Sequence, residues 1–298
     1  MPTPSSQTEE PTVPKGRSKA DPGLSLVSTP VGNAGDITLR ALDVLRTADV
    51  IACEDTRVTG SLMARYGIAT SLVSYHEHNA DRVGPQLLER MKAGQAAALV
   101  SDAGTPLVSD PGYRLVQTCI AEQVPITAIP GASAPLTALI LSGLPPERFL
   151  FAGFLPPKTS ARQSVLSELA AVPATLVFFE TVPRLADSLR DMASVLGNRP
   201  AAVARELTKL FEEVRRGSLE DLAGHYESSG PPKGEIVVVV GPPLKDMAAP
   251  LPEEIDRALE EALAGSGVRD AAAQVALALG LPRRQVYERA LVLGRKKT

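Results

Sequence analysis

The chain has no tryptophan, 4% aromatic residues and two cysteines in 298 residues. A base-stacking platform for single-stranded nucleic acid needs exposed aromatic faces, and there is little material here for one. Cys53 and Cys119 stand far apart, with no CxxC pair and no histidine beside both, which excludes a disulfide framework and a cysteine-based zinc site. No run of about 18 apolar residues occurs, and no apolar segment follows the N-terminal charges. Membrane spans and export are therefore not expected, and a reducing, cytoplasmic setting is. Excess positive charge is also missing: the formal net charge is −3. Attraction to a polyanion must then come from local basic clusters rather than from the whole-molecule field.

What is present is apolar material, 44% of the residues, in a chain longer than one usual domain. Residues 1–23 are rich in Pro, Ser, Thr, Glu and Lys and are read as a disordered tail, because they cannot bury enough surface to offset ordering. From residue 24 short apolar runs alternate with amphipathic stretches: LSLVST, ITLRALDVLRTA, DVIAC, SLVSY, a helix over 81–91, AAALVS, a helix after Pro111, and ITAIP. Runs this apolar suit strands of a mostly parallel sheet covered on both faces, which predicts a first α/β domain over 24–143.

Leu144, Pro145 and Pro146 form a joint to a second series: FLFAGFL, a helix over 160–171, ATLVFFE, a helix over 184–196, AAVARE, a helix over 219–226, and EIVVVV. Pro and Gly bound each run as strand ends require, giving a second α/β domain over 144–243. Beyond Gly241 the pattern is helix only. VRDAAAQVALALG and RRQVYERAL flank Gly280 and Pro282, a helix stop and a first-turn proline, so 244–298 reads as a helix-turn-helix-like appendage.

In such sheets ligands bind beyond the carboxyl ends of strands, so the loops that follow strands carry the functional argument. Thr29 to Asp36 holds two glycines and a proline, with Asp36 placed to cap a helix from Ile37. In Ser101-Asp102-Ala103-Gly104-Thr105-Pro106, followed by Ser109-Asp110-Pro111-Gly112, small residues let the backbone approach a ligand. Asp102 adds one negative charge, which suits an ammonium or sulfonium better than a phosphate. The stretch is neither GxGxxG nor GxxxxGK[ST], so nucleotide phosphates are poorly served. Pro130-Gly131-Ala132-Ser133-Ala134 repeats the small-residue pattern, with Ser133 placed to cap the next helix.

Polar clusters complete the rim. Glu54, Asp55 and Arg57 follow the second strand, and His76, Glu77, His78 and Asn79 the third, residues able to bind sugar hydroxyls and phosphates. His76 and His78 lack a third ligand at regular spacing, so no metal is expected. In the second domain Glu180, Arg184, Glu206, Lys209 and Gly234 follow or precede strands; each charge is a cleft residue if the two sheets meet at their carboxyl edges, and a structural ion pair otherwise. Residues 281–298 hold Arg283, Arg284, Arg289, Arg295, Lys296 and Lys297 against the one acid Glu288, a surplus suited to phosphate contacts.

Together these motifs resemble the tetrapyrrole methylase superfamily, and within it the branch that methylates small-subunit ribosomal RNA on cytidine 2′-oxygens. The resemblance rests on TPVGNAGDITLRAL (29–42), EDTR (54–57), YHEHN (75–79), SDAGTPLVSDPG (101–112), PGASAPLTAL (130–139), FAGFLP (151–156), FFETVPRL (178–185), ARELTKLFEE (204–213) and GEIVVVVGP (234–242). It implies two α/β domains with S-adenosylmethionine in the cleft between them. The donor site would comprise Pro30, Asp102, Ala103, Gly104, Thr105, Val108, Ser133 and Ala134, with Glu180, Glu206 and Gly234 near the second domain's matching contacts.

Methyl transfer is an in-line displacement, so a base or solvent relay must take the acceptor's proton. His76, Asp102, Glu180 and Glu206 are the candidates, and the sequence does not choose among them. Glu54, Asp55, Arg57, His76, Asn79, Lys209, Arg283 and Arg284 are the expected substrate contacts. Small-subunit ribosomal RNA is the expected partner and a homodimer the expected assembly, both as implications of the resemblance. Two other readings stay open: a methylase of a corrin or porphyrin precursor, and a non-catalytic RNA-binding assembly factor. Porphyrinoid methylases carry a GxGDP-like loop where this chain has Ser101 to Pro106, which points away from the first.

Overall fold

The computed structural model describes residues 19–243, 252–279 and 283–295. The chain divides after Pro243 into two compact units. The larger one holds two five-stranded sheets.

The first sheet comprises β1 (Gly23–Val27), β2 (Val50–Cys53), β3 (Leu72–Ser74), β4 (Ala96–Val100) and β5 (Ile126–Ile129), in the order β3-β2-β4-β1-β5. All its pairings are parallel, so every strand points its carboxyl end to the same edge. The central strands VIAC and AAALV are buried at every position, as a sheet covered on both faces demands. Helices α1 (Leu39–Thr47) and α2 (Thr56–Arg65) pack one face through Leu45 and Met63. Helices α3 (Ala80–Lys92) and α4 (Tyr113–Ala121) pack the other through Leu87, Leu115 and Cys119. Each such leucine contributes about 1.5–3 kcal/mol by leaving water.

Helix α5 (Ala134–Ser142) leads to the second sheet, β6 (Phe149–Phe154), β7 (Thr175–Glu180), β8 (Pro200–Arg205), β9 (Glu213–Ser218) and β10 (Ile236–Val240), ordered β6-β7-β10-β8-β9. This sheet is mixed: β6 and β7 are parallel, while β10 runs antiparallel to β7 and β8, and β9 antiparallel to β8. The carboxyl ends of β6, β7 and β8 therefore share an edge with the start of β10. Helices α6 (Thr159–Leu169), α7 (Leu185–Leu196) and α8 (Leu219–Ser229) cover one face around Phe178 and Val238, and α5 covers the other through Ala138 and Leu139.

Several expectations need correction. Ala20 is buried and Gly23 opens β1, so the ordered chain starts before residue 24; residues 1–18 of the expected tail lie outside the described residues. Asp36 ends a 3-10 turn, and Thr38 caps α1 by accepting the Ala41 N–H at 3.1 Å. Ser133 occupies the N-cap position of α5 without a side-chain cap bond. The strand β9, EVRRGS, was not anticipated, because an edge strand with two adjacent exposed arginines and one valine carries no apolar signal.

The second unit holds α9 (Pro252–Leu263), α10 (Val268–Ala278) and α11 (Arg283–Arg295) around its own core of Leu259, Ala272, Val275, Val286 and Ala290. Helix α9 is additional to the two helices expected. Arg289 is not a free cation: its guanidinium makes a two-pronged pair with Asp256, at 2.6 and 2.7 Å. Gly280, Pro282, Lys296 and Lys297 lie outside the described residues.

Candidate functional site

The loops after β1, β4 and β5 are bonded into one wall. Thr29 and Gly104 exchange backbone hydrogen bonds at 2.8 and 3.1 Å, and the Thr29 hydroxyl donates to the Ser101 carbonyl at 3.1 Å. The Thr105 hydroxyl donates to the Ala132 carbonyl at 3.2 Å. Asn33 N–H donates to Thr208 Oγ1 at 2.9 Å, which ties this wall to the loop after β8. Serine and threonine suit such stitching because a short hydroxyl reaches backbone groups without filling the space beside them.

Opposite this wall stand the ends of β7 and β8 and the start of β10, and a cleft of about 380 Å³ lies between. Ala103, Gly104, Thr105, Val108, Ser109, Asp110, Ser133 and Ala134 line it from the first sheet's side, and Phe179, Glu180, Val182, Leu207, Gly234 and Glu235 from the second's. The volume falls within the range of small-molecule sites, and the lining is mainly apolar and backbone with a few polar groups, the usual build of such a site. A second, more polar hollow of about 290 Å³ adjoins it, sharing Val31, Ala103 and Glu235. Arg65, Asp102 and Lys209 lie along that hollow.

The cleft loops hold their backbone in conformations that ordinary side chains rarely adopt. Leu107 (φ 71), Ser109 (φ 65), Glu206 (φ 50) and Thr208 (φ 65) are left-handed non-glycine residues. Such strain persists only where surrounding bonds over-determine it, and it gathers at functional sites. Gly234, at φ +101, sits against the Glu206 carboxylate, where an added Cβ would lie 2.2 Å from Oε1.

Of the anticipated donor-site residues, Ala103, Gly104, Thr105, Val108, Ser133, Ala134, Glu180 and Gly234 line the cleft. Pro30 and Asp102 line the neighbouring hollow instead, and Asp102 Oδ1 accepts the Asp55 N–H at 3.2 Å. The Glu180 side chain is fully buried and already engaged. Arg184 Nε lies 3.3 Å from its Oε1, Thr181 N–H donates to Oε1 at 2.7 Å, and the Ser188 hydroxyl donates to Oε2. A carboxylate so held by its neighbours is committed to shaping the wall.

Glu206 is likewise occupied. Its Oε1 accepts from Lys209 Nζ at 2.9 Å and from the Glu235 N–H at 3.0 Å, and the Lys209 bond holds its carboxyl below the usual range. Lys209 also bonds Glu235 at 2.7 Å, so the expected substrate lysine is a clamp between two acids at the mouth of the hollow. Asp55 caps α2 and grips Arg57 at 2.6 Å, and Arg57 brings its carboxyl down to about 2. Arg57 itself is 89% exposed. Glu54 accepts the Ser74 hydroxyl through its carbonyl at 3.3 Å.

His76 and Asn79 form the turn before α3, with Asn79 bonding the His76 N–H at 2.9 Å and the Ser74 carbonyl at 3.0 Å. Neither lines the cleft, and the His76 and His78 rings meet edge to face at 6.0 Å. Among the described residues no group of three or more His, Cys, Asp or Glu could hold a metal ion. Arg283 and Arg284 open α11; their side chains are not described.

Sequence reading passed over Asp110. It lines the cleft, and burial pushes its carboxyl up to about 6; the Glu54 and Asp102 charges add to the rise, and a hydrogen bond with Ser101 opposes it. The motif was visible, but burial is a tertiary property that spacing does not report.

Two α/β sheets that turn their carboxyl edges onto one apolar crevice define a two-lobed small-molecule-binding protein. The chain belongs to the tetrapyrrole (corrin/porphyrin) methylases, whose family model matches residues 23–223. A second model, described as the RsmI C-terminal HTH domain, matches residues 249–294. Among relatives, the ribosomal RNA small subunit methyltransferase I of Mesorhizobium japonicum is 52% identical over 288 residues, 96% of each chain. The protein of the same name from Erythrobacter litoralis is 52% identical over 272 residues, 91% of this chain and 95% of its own. A uroporphyrin-III C-methyltransferase from Thermus thermophilus, solved in complex with S-adenosyl homocysteine, shares the fold at a TM-score of 0.52 and 22% identity. It covers 74% of this chain and 97% of its own.

Proposed function

We propose that this protein transfers a methyl group from S-adenosylmethionine to the ribose 2′-hydroxyl of a cytidine in 16S ribosomal RNA. The observation that carries the reading is the cleft itself, bounded by both sheets and made of backbone and small side chains. Its fit to the donor is chemical. Val108, Val182, Leu207 and Phe179 offer an apolar surface for a flat base, Ser133 offers a hydroxyl, and the Asp110 carboxylate favours a cation over a phosphate. Once bound, the donor supplies an electrophilic methyl group on a positively charged sulfur.

The protein's own contribution is to hold the acceptor oxygen in line with that carbon and to exclude water. The acceptor's phosphates lie along the polar hollow beside the cleft, near Arg65, and its ribose reaches into the cleft. Relatives more than 50% identical over nearly the whole chain bear names for small-subunit ribosomal RNA methylation, which favours RNA over a porphyrinoid acceptor.

Helix α5 supports the expected homodimer. It is apolar on every side, and Leu136 (48%) and Ile140 (73%) are exposed on the face that does not pack on the second sheet. A helix apolar all round is normally buried, so this face is taken as the dimer contact. No helix among the described residues is long and apolar enough to cross a membrane, and we place the reaction in the cytoplasm, where ribosomal substrate is found.

The test is to supply labelled S-adenosylmethionine with small subunits lacking modifications and to map the product. One methylated cytidine ribose in 16S RNA is expected. Transfer to a tetrapyrrole precursor alone, or to nothing, contradicts the proposal. For the basic C-terminal segment, deleting 281–298 is a poor probe, since Val286 and Ala290 belong to the core of that unit. Charge reversal at Arg283 and Arg284 is expected to weaken subunit binding and flatten its salt dependence while donor affinity holds.

A further inference from the structure

We infer that Asp110 takes the proton from the acceptor hydroxyl; this rests on the reading of the cleft as the place of methyl transfer to a ribose.

The other acids of the cleft are committed. Glu180 is saturated by Arg184, Ser188 and Thr181, and Glu235 is paired with Lys209. Among the described residues no cation bears on Asp110. The groups that bear on its carboxyl are Ser101 on its own loop, Glu54 at the end of β2 and Asp102 after β4. Glu180 and Glu235 line the opposite wall.

The backbone fixes where the carboxylate stands. Ser109 before it is left-handed, Pro111 after it restricts its backbone, and Gly112 (φ +133) packs against Leu99, where an added Cβ would lie 2.7 Å from the leucine methyl. A carboxylate held in an apolar cleft, with like charges behind it and no cation to satisfy it, binds a proton more readily than one in water. A general base works best when its own titration lies near the working pH.

The step balances without a further reagent. The ribose oxygen forms the new O–C bond with one of its electron pairs, the C–S bond breaks with its pair left on sulfur, and the hydroxyl proton passes to an Asp110 oxygen. The positive charge on sulfur is lost as Asp110 becomes neutral, so the cleft's net charge is unchanged once product leaves with its neutral oxygen. Solvent then removes the proton from Asp110.

The experiment compares full-length wild type with Asp110→Asn and Asp110→Glu, each first shown to unfold cooperatively like wild type. Calorimetry with S-adenosylmethionine alone reads donor binding, and single-turnover transfer to unmodified small subunits reads chemistry. Asp110→Asn is expected to keep donor affinity within about threefold of wild type while the transfer rate falls about 10²- to 10⁴-fold, the usual contribution of a general base. Wild-type turnover at saturating donor is expected to rise with pH through a midpoint at or below about 6, because the donor's positive charge favours the carboxylate. Asp110→Asn should lack that limb, and Asp110→Glu should retain it with partial activity.

Asp110→Asn that transfers at the wild-type rate overturns the inference while leaving the proposed reaction standing. Loss of donor affinity in Asp110→Asn by more than tenfold makes Asp110 a donor ligand and overturns it too. Wild type that binds donor yet methylates no ribose overturns the proposed reaction itself, and this inference with it.

Discussion

The two sheets of the larger unit solve the problem of buried polarity differently. Up to residue 142 the buried polar side chains are all hydroxyls: Ser25, Ser28, Thr29, Thr59, Ser101 and Ser142. After it they include Arg162, Glu180, Asp191 and Arg199, all charged. The first half thus carries a wall of small residues and backbone that can approach a ligand, stitched by short hydroxyl bonds. The second half is stiffened by buried ion pairs, Arg162 with Asp191 between α6 and α7 at 2.6 Å through Nε, and Arg184 against Glu180 at the cleft. One side of the cleft is shaped to touch; the other is shaped to stay in place.

That contrast can be broken most directly at Asp191. Asp191→Ala leaves the Arg162 guanidinium buried without its partner and is expected to cost about 3–5 kcal/mol in urea unfolding. By comparison, Thr29→Val removes one buried hydroxyl bond of the first half and should cost only about 0.5–1.5 kcal/mol. Equal losses at the two sites would remove the distinction.

Between these lies an effect of opposite sign. Asp110 has a raised carboxyl pKa, so the folded state gains on protonation: its contribution to stability is fully present below the unfolded value and is lost as pH rises through about 6. At neutral pH the ionised group is therefore a cost. Asp110→Asn is expected to stabilise the protein at pH 7.5 by about 1–2 kcal/mol, a figure reduced for the solvent that reaches this half-exposed group. The gain should shrink toward pH 4. A variant less stable than wild type at pH 7.5 would show that the carboxylate supports the fold rather than burdening it.

The smallest effect is expected at the rim. Arg57→Ala removes an exposed pair with Asp55 and should leave the urea unfolding midpoint nearly unchanged. If Arg57 meets a phosphate, the same change lowers the salt slope of subunit binding by about one charge. An unchanged slope would reduce Arg57 to a partner for the α2 cap.

The first sheet was legible in the sequence because strands buried on both faces leave continuous apolar runs between glycines and prolines, as AAALV and VIAC do. The loops that line the cleft were legible for the same reason, since they follow those runs at one edge. The strand β9 was not, because Arg215 and Arg216 are exposed on an edge. Nor were the partners of the acids. Glu180, Arg184 and Ser188 recur at intervals of four, a helical spacing that could have marked Glu180 as structurally held. Asp110 and Asp102 sit eight residues apart in one motif, and only the fold shows which enters the cleft.

The account stands on the crevice between the two sheets being the donor site. Ser133 lines it and makes no cap bond, so Ser133→Trp fills the space without removing a fold contact. Calorimetry with S-adenosylmethionine should show affinity reduced about 100-fold or more, with the thermal midpoint near that of wild type. Donor binding at wild-type strength in a stably folded Ser133→Trp protein would place the donor elsewhere and contradict the account.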